Sequence, residues 1–449
     1  MNNSIIIGPF KQILTMDRLP DSGPIRDDSL EIISNGSILI EDQNIIKVLS
    51  EKEFRNDSIK RQVAATKRSY RSSEQTENPS QKEKFLRCNS IKASHSPDIK
   101  VDEIQEDAVL MPGFIDAHTH ICYAGTRAED YARRLSGETY LEIAKQGGGI
   151  LSTVTKTRAA SQQELEQSLM ERARTHLLRG VTTCEVKSGY GLKKDAELKM
   201  LRAIRALNQK GSLPDLVPTC LAAHVKPGEF QDHKEYLDYI LHELLPAIKS
   251  ENLSDRVDIF IEEGAFNPEI SLKFLKQAKA IGFSITIHAD QFSKGGSEVA
   301  SKVGAISADH LETSEDREFE MLKMANVIAN VLPGASTGLG LPFAPVRKML
   351  NAGLTVAISS DWNPGSAPMG DLLTLACILG ADKKLTMVET LSALTNRAAK
   401  ALELNDRGLI KTGYLADMIA FPCGDFREIF YHQGSLKPHR IWKNGEEVK

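Results

Sequence analysis

His118 and His120 stand two apart at the end of an apolar run, Pro112-Gly-Phe-Ile-Asp-Ala-His-Thr-His. Side chains alternate along an extended chain, so positions i and i+2 share a face and two such imidazoles can close on one ion. A lone His-x-His pair is weak, because two exposed strand histidines read the same way. Three further apolar, β-rich runs, however, end in groups of matching chemistry: Ser-Ile-Thr-Ile-His288, Ala-Ile-Ser-Ala-Asp-His310 and Thr-Val-Ala-Ile-Ser-Ser-Asp361. His118, His120, His288 and Asp361 make a borderline donor set that suits one zinc or iron ion, with zinc the default. An open position on such an ion takes a water, whose pKa zinc lowers to roughly 7. Asp361 reaches both ion and water in this reading and is the candidate general base. His310 is a further ligand, an orienting acid/base, or a hydrogen-bonded structural histidine.

Groups at the downstream ends of separate strands need a parallel barrel to bring them together. After residue 107 the chain alternates between strand-like and helix-like runs. The strands are expected at 114–121, 182–187, 216–223, 257–262, 284–288, 305–310, 327–332 and 355–360, the eight that a (β/α)8 TIM-like barrel requires. Helical patterns fill the intervals at 163–178, 196–207, 234–249, 270–280, 299–303, 315–323 and 343–351, with Gly180, Gly282 and Gly353 as stop signals. Both ends of the chain are β-rich. Short strand-like runs occupy 4–7, 13–16 and 36–40, and Asn444-Gly445 marks a hairpin near the C-terminus.

The fold class is therefore α/β: a barrel over 111–404 with a small β-sandwich domain formed from the N- and C-terminal segments, 1–110 and 405–449. Residues 52–106 are polar, charged and poor in large aliphatics, which reads as a long exposed insertion able to move.

A chain of 449 residues that is 41% hydrophobic can fill a large core, and 56 basic against 60 acidic residues do not suggest a nucleic-acid or membrane-binding surface. The six cysteines, Cys88, Cys122, Cys184, Cys220, Cys377 and Cys423, form no Cys-x-x-Cys pair and suit reduced thiols in the cytoplasm. Neither a signal peptide nor a membrane span is expected.

Several longer stretches are more specific: Gly125-Thr-Arg-Ala-Glu-Asp-Tyr, Gly147-Gly-Gly-Ile-Leu-Ser-Thr-Val-Thr-Lys-Thr-Arg, Glu185-Val-Lys-Ser-Gly-Tyr-Gly-Leu, His288-Ala-Asp-Gln, Ser307-Ala-Asp-His-Leu-Glu and Ser360-Asp-Trp-Asn-Pro-Gly-Ser. Together with the His-x-His run, they resemble the amidohydrolase superfamily and, within it, the imidazolonepropionase family. The resemblance runs from about 112 to 420; the triple glycine and Lys-Ser-Gly-Tyr-Gly are its most selective parts.

The resemblance implies hydrolytic opening of the ring of 4-imidazolone-5-propanoate, giving N-formimidoyl-L-glutamate. It assigns the metal, one zinc or iron ion per subunit, to His118, His120, His288 and Asp361. It assigns substrate contacts to Arg127, Tyr190, His224, Gln291, Asn363, Gly365 and Ser366, and it suggests a homodimer. Chemically, Arg127 offers a planar donor fork for the propanoate carboxylate, with Tyr190 at the same end. His224 and Gln291 suit the carbonyl oxygen, where charge builds up during attack, so His224 joins Asp361 and His310 as a candidate catalytic group. Asn363, with the backbone around Gly365 and Ser366, suits the opposite edge of the ring.

The triple glycine lacks the phosphate-loop pattern and reads as a flexible turn near the site mouth. A binuclear dihydroorotase- or hydantoinase-like enzyme would need a carbamylated lysine on strand four, where Glu262 and Glu263 stand instead; the nearest suitable lysine is Lys187 on strand two. A deaminase of this type carries a glutamate where this chain has Gln291, and glutamine exchanges no proton near neutral pH. A catalytically silent barrel scaffold would have lost ligands that are all present here.

Overall fold

A computed structural model of the chain describes residues 4–55, 99–138, 142–143, 146–209, 211 and 213–448. The polar middle of the expected insertion, 56–98, lies outside the described residues, as does Cys88. The flanks of that stretch belong to the folded body: a helix, Glu51–Arg55, and a strand, Ile99–Glu103.

Two eight-stranded sheets organise the molecule. The first takes strands from both ends of the chain: β1 (Ser4–Leu14), β2 (Ile32–Glu41), β3 (Asn44–Leu49), β4 (Ile99–Glu103), β5 (Val109–Pro112), β14 (Met418–Phe421), β15 (Arg440–Lys443) and β16 (Glu446–Glu447). Its path is β16-β15-β14-β5-β1-β2-β3, with β4 beside β1, so the two termini meet where β5 pairs antiparallel with β14. The runs expected at 4–7 and 13–16 are one strand, β1, with a register shift between Ile7 and Phe10. At the other end, Asn444 and Gly445 turn β15 into β16 with φ of 52° and 78°, as the hairpin signal requires.

Phe10 on β1 and Trp442 on β15 are three strands apart along the path, roughly 14 Å in a flat sheet. Their rings nevertheless meet edge-on at 6.0 Å, so the sheet curls over its own core. The period-2 pattern shows which face does what. Leu110, Met418 and Ala420 fill that inner core, while Val109, Met111, Ile419 and Phe421 pack into the core of the barrel. The small β domain is layered as expected, but within a single curled sheet.

The second sheet is parallel throughout and follows chain order: β6 (Phe114–Asp116), β7 (Val181–Lys187), β8 (Asp215–Ala223), β9 (Arg256–Ile261), β10 (Ser284–Ala289), β11 (Ser307–His310), β12 (Ile328–Val331) and β13 (Val356–Ile358). All eight expected strands are present, and the sheet closes as a TIM-type barrel. Between β13 and β6 the seam is made just beyond the strand ends, where Thr119 bridges Trp362. There His120 N–H donates to the Trp362 carbonyl (2.9 Å) and Asp361 N–H to the His118 carbonyl (3.1 Å).

Two differences from the sequence reading concern helices. The run expected at 234–249 is broken into His233–Tyr239, a π turn Ile240–Leu244 and Leu245–Ser250. Pro246 has no N–H to give to the turn before it, and the wider turn absorbs the gap. Helices at Ala128–Leu135, Ile150–Ala159, Pro333–Leu339, Leu372–Lys383, Met387–Leu394 and Asn396–Ala401 are additional to those expected. Leu372–Lys383, for example, is apolar on nearly every side, which hides a helical stripe. No helix among the described residues is long and apolar enough to cross a membrane.

Candidate active site

The strand that delivers the first two histidines is shorter than the sequence suggests. β6 stops at Asp116, and His118 and His120 follow it in the extended segment that forms the seam. The i, i+2 argument still holds, because the segment stays extended. Asp361 likewise lies three residues beyond β13, in a left-handed conformation (φ 53°). Its amide is held by the His118 carbonyl, which sets the carboxylate beside the two histidines.

The convergence is tight. Nε2 of His118 is 3.1 Å from Nε2 of His120 and 3.1 Å from Nε2 of His288, and the latter two are 3.3 Å apart. Asp361 Oδ1 lies 3.3 Å from His120 Nε2 and 3.5 Å from His118 Nε2. All four side chains are buried. For zinc–nitrogen bonds of 2.0–2.1 Å in a tetrahedral set, neighbouring nitrogens should be about 3.3 Å apart.

The far side of the rings decides the protonation state. His118 Nδ1 meets Asp309 Oδ2 at 2.6 Å, and His288 Nδ1 meets Asp258 Oδ2 at 2.8 Å. Each carboxylate draws the ring proton to Nδ1 and leaves a lone pair on Nε2. Burial pushes the His120 pKa down to about 3 and that of His288 to about 4, the latter despite Asp258; His118 is lowered well below its usual value by burial and by Lys187. Three neutral nitrogens facing one point within 3.3 Å repel one another unless a cation sits between them. The donor set therefore fits a bound metal ion.

Beneath the histidines, the Lys187 ammonium is fully buried, 2.6 Å from Glu185 Oε2, 2.9 Å from Asp258 Oδ2 and 3.9 Å from Asp309 Oδ2. Burial alone would lower its pKa, but the three carboxylates outweigh it and hold the amine protonated. A charged amine does not carry a carbamate, so Lys187 is unsuited to bridging two metals. Asp258, Asp309 and Glu185 were not singled out as functional in the sequence. The available signal was a charged residue inside an apolar strand run, which must pair when buried.

His310 ends β11 with φ 87°, and this reversal lets consecutive residues, Asp309 and His310, both face the cluster. Its ring lies 5.3 Å from that of His288 and 5.9 Å from that of His118. Its Nδ1 is 3.4 Å from Glu312, whose charge raises the His310 pKa against the effect of burial.

The remaining sequence candidates divide into two groups. His224 stacks on His120 (5.5 Å, 23°), and its Nδ1 donates to the Gly189 carbonyl at 3.2 Å, leaving Nε2 available. Tyr190 is buried beside both, 5.6 Å from the His224 ring and 6.1 Å from that of His120. Arg127 faces Gly365, where an added Cβ would come within 2.7 Å of Nη1. Its Nε donates to Asp130 (2.8 Å), and Asp130 also accepts the Gly149 N–H (2.8 Å). The triple glycine is thus the entry to the helix Ile150–Ala159, with one of its amides tied to the partner of Arg127.

Asn363, Gly365 and Ser366 behave differently. Asn363 donates to the Asp361 carbonyl (2.7 Å), to Asp361 Oδ2 (2.9 Å) and to Ser366 Oγ (2.9 Å), and accepts from the amides of Gly365 and Ser366. Its polar atoms are committed to the turn and to aiming Asp361. Gln291 lies half-buried in the loop after β10 without a hydrogen bond to the cluster; Glu262 at the end of β9 holds that loop through the amides of Phe292 and Ser293.

Residues 109–448 match the model of the amidohydrolase family. An imidazolonepropionase of Symbiobacterium thermophilum is 44% identical over 361 residues, covering 78% of this chain and 84% of that protein. One from Thermoanaerobacter pseudethanolicus is 40% identical over 354 residues, covering 78% and 85%. This chain belongs to the amidohydrolase family, among the imidazolonepropionases.

Solved structures carry the same fold at low identity. A guanine deaminase from C. acetobutylicum shares 16% of residues with a TM-score of 0.64, each chain covered completely. As an amidohydrolase of this branch, the protein is a hydrolase acting on carbon–nitrogen bonds in cyclic amides, and the buried His/Asp cluster is where such enzymes need their metal.

Proposed function

We propose that the protein opens the ring of 4-imidazolone-5-propanoate to N-formimidoyl-L-glutamate, with one zinc or iron ion held by His118, His120, His288 and Asp361. The observation that carries this reading is the buried cluster of three neutral imidazoles and a carboxylate, flanked by Arg127, Tyr190 and His224. A bound divalent ion would supply a Lewis acid and an activated water at neutral pH.

The chain's own residues do the rest. Arg127 binds the propanoate carboxylate through its Nη edge, since its Nε is already used by Asp130. Tyr190 contributes at the same end. His224, fixed through Nδ1, presents Nε2 toward the carbonyl oxygen as charge develops there, with Gln291 beside it. Asp361 takes a proton from the attacking water at its carboxylate and passes it to the ring nitrogen as the carbon–nitrogen bond breaks. Asn363 holds the Asp361 carboxylate in position for both transfers, and Gly365 and Ser366 close that edge of the site. His310, with Glu312 beside its Nδ1, lies where it stabilises negative charge near the cluster.

A homodimer and a cytoplasmic location complete the proposal; the five described cysteines, all buried and free, suit a reducing compartment. The test is loss of imidazolone-propanoate absorbance catalysed by purified protein, alongside Arg127→Ala and His118→Ala. His118→Ala is expected to abolish turnover and metal retention. Arg127→Ala should raise KM about 100-fold, as loss of a bidentate carboxylate contact does. Parent-like kinetics for Arg127→Ala would refute the carboxylate clamp.

A further inference from the structure

Tyr190 and His224 follow different strands, β7 and β8. Both depend on the backbone of a single residue, Gly189. Its carbonyl accepts from His224 Nδ1 (3.2 Å), and Tyr190 is the next residue along the chain. Its amide runs the opposite way, to Glu197 Oε2 at 3.0 Å. Glu197 Oε1 takes two more amides of the same loop, Gly191 N–H at 2.8 Å and Leu192 N–H at 2.7 Å. The loop of the Lys-Ser-Gly-Tyr-Gly motif is thus wrapped around one carboxylate in the first turn of the helix Lys194–Asn208.

That carboxylate is fully buried, and among the described residues no cation pairs with it. Burying a carboxylate without a counter-charge is costly, and burial raises its pKa accordingly. The Ser188 side chain and three converging amides offset the cost, and the amides would themselves be unsatisfied around an apolar side chain. The glycines allow the wrap. At Gly191 an added Cβ would lie 2.8 Å from Glu197 Oε1; at Gly189 (φ 105°) it would lie 2.8 Å from the Leu221 carbonyl. Tyr190 sits between them, held on both sides.

We infer that Glu197 is a positioning residue for the reaction: through the amides of Gly189, Gly191 and Leu192 it fixes Tyr190 and His224 relative to each other and to the metal cluster. The inference rests on the roles proposed above for those two side chains. It places a third, untouched residue behind them and explains why the loop spends a buried acid where a hydrophobic residue would suffice for packing.

The experiment compares metal-loaded Glu197→Gln with Leu201→Ala, which removes packing from the same helix and no bond to the loop. Gln keeps one acceptor and turns an N–H toward the amides, so kcat/KM should fall about 10- to 100-fold, with KM raised and kcat lowered together. Leu201→Ala should lose melting temperature and keep the parent's constants. In a double-mutant cycle, Glu197→Gln combined with Tyr190→Phe should cost less than the sum of the two. Parent-like constants for Glu197→Gln, or full additivity with Tyr190→Phe, overturn the inference.

Hydrogen exchange of the 188–192 backbone reads the same hold without substrate. Exchange should be faster in Glu197→Gln than in Leu201→Ala, and equal rates overturn the inference. An inactive parent, by contrast, would sink the proposed reaction while exchange still tested the hold.

Discussion

Lys187 is the residue on which the electrostatics of the site turns. One ammonium touches Asp258 and comes within 3.9 Å of Asp309, the two carboxylates that set the tautomers of His288 and His118. Lys187→Met leaves those acids without their counter-charge, at a cost of about 3–5 kcal/mol in stability. It should weaken metal affinity about 10- to 100-fold, measured by chelator competition on the folded protein. An unchanged affinity would mean that the two aspartates orient their imidazoles without help. Asn363 acts at the same scale on the fourth ligand. Asn363→Ala removes the amide from Asp361 Oδ2 and should lower kcat about 10- to 100-fold with metal content retained, read by steady-state kinetics beside metal analysis. A change in KM alone would return Asn363 to substrate binding.

Among the elements, the helix Ile150–Ala159 links two parts of the site. At its start Gly149 binds Asp130, the partner of Arg127; near its end Arg158 Nε donates to the Gly191 carbonyl (2.6 Å), within the loop of Tyr190. The carboxylate clamp and the tyrosine loop are thereby spaced by one rigid rod. A second packed element is the turn 361–366, which lies against the helix Pro333–Leu339. A Cβ on Gly338 would fall 1.6 Å from the Ser366 carbonyl, with no room to yield. Gly338→Ala should therefore displace the turn that carries Asp361 and Asn363. We expect kcat/KM to drop about 100-fold, together with a lower melting temperature, in a variant that still folds. Strands were legible at this scale because β10, for instance, is a short β-branched run between turn residues. The helices of the loops were not all so: Leu372–Lys383 is apolar on nearly every side and prints no stripe on the sequence.

Across the whole molecule, the metal cluster and the barrel seam are the same structure. The backbone bonds between 118–120 and 361–362 close β6 onto β13, and their side chains supply the donors for the ion. Chelating the metal should accordingly speed hydrogen exchange at 117–121 and 359–363 before the rest of the barrel. Metal at 100 times its Kd should restore about 2.7 kcal/mol of stability. Uniform exchange after chelation would show that the seam holds without the ion. In the small β domain, Trp442 fills the inner core against Phe10. Trp442→Ala should cost about 3–5 kcal/mol by urea unfolding, with the folded enzyme's kinetic constants unchanged.

What the amino-acid sequence determined by itself was local: eight apolar strand runs, the imidazoles and carboxylate at their downstream ends, and motifs that mark the family. Those features are readable because alternation, strand length and donor chemistry act over a few residues. Only the tertiary structure decided that Asp258 and Asp309 face ring nitrogens, that Asn363 spends its polar atoms on Asp361, and that Glu197 gathers the amides around Tyr190. Each of these pairings joins groups from separate elements or depends on a left-handed backbone turn such as that at His310 or Asp361. Their energy comes from burial, where an unpaired charge or amide is costly, and burial exists only once the barrel has closed.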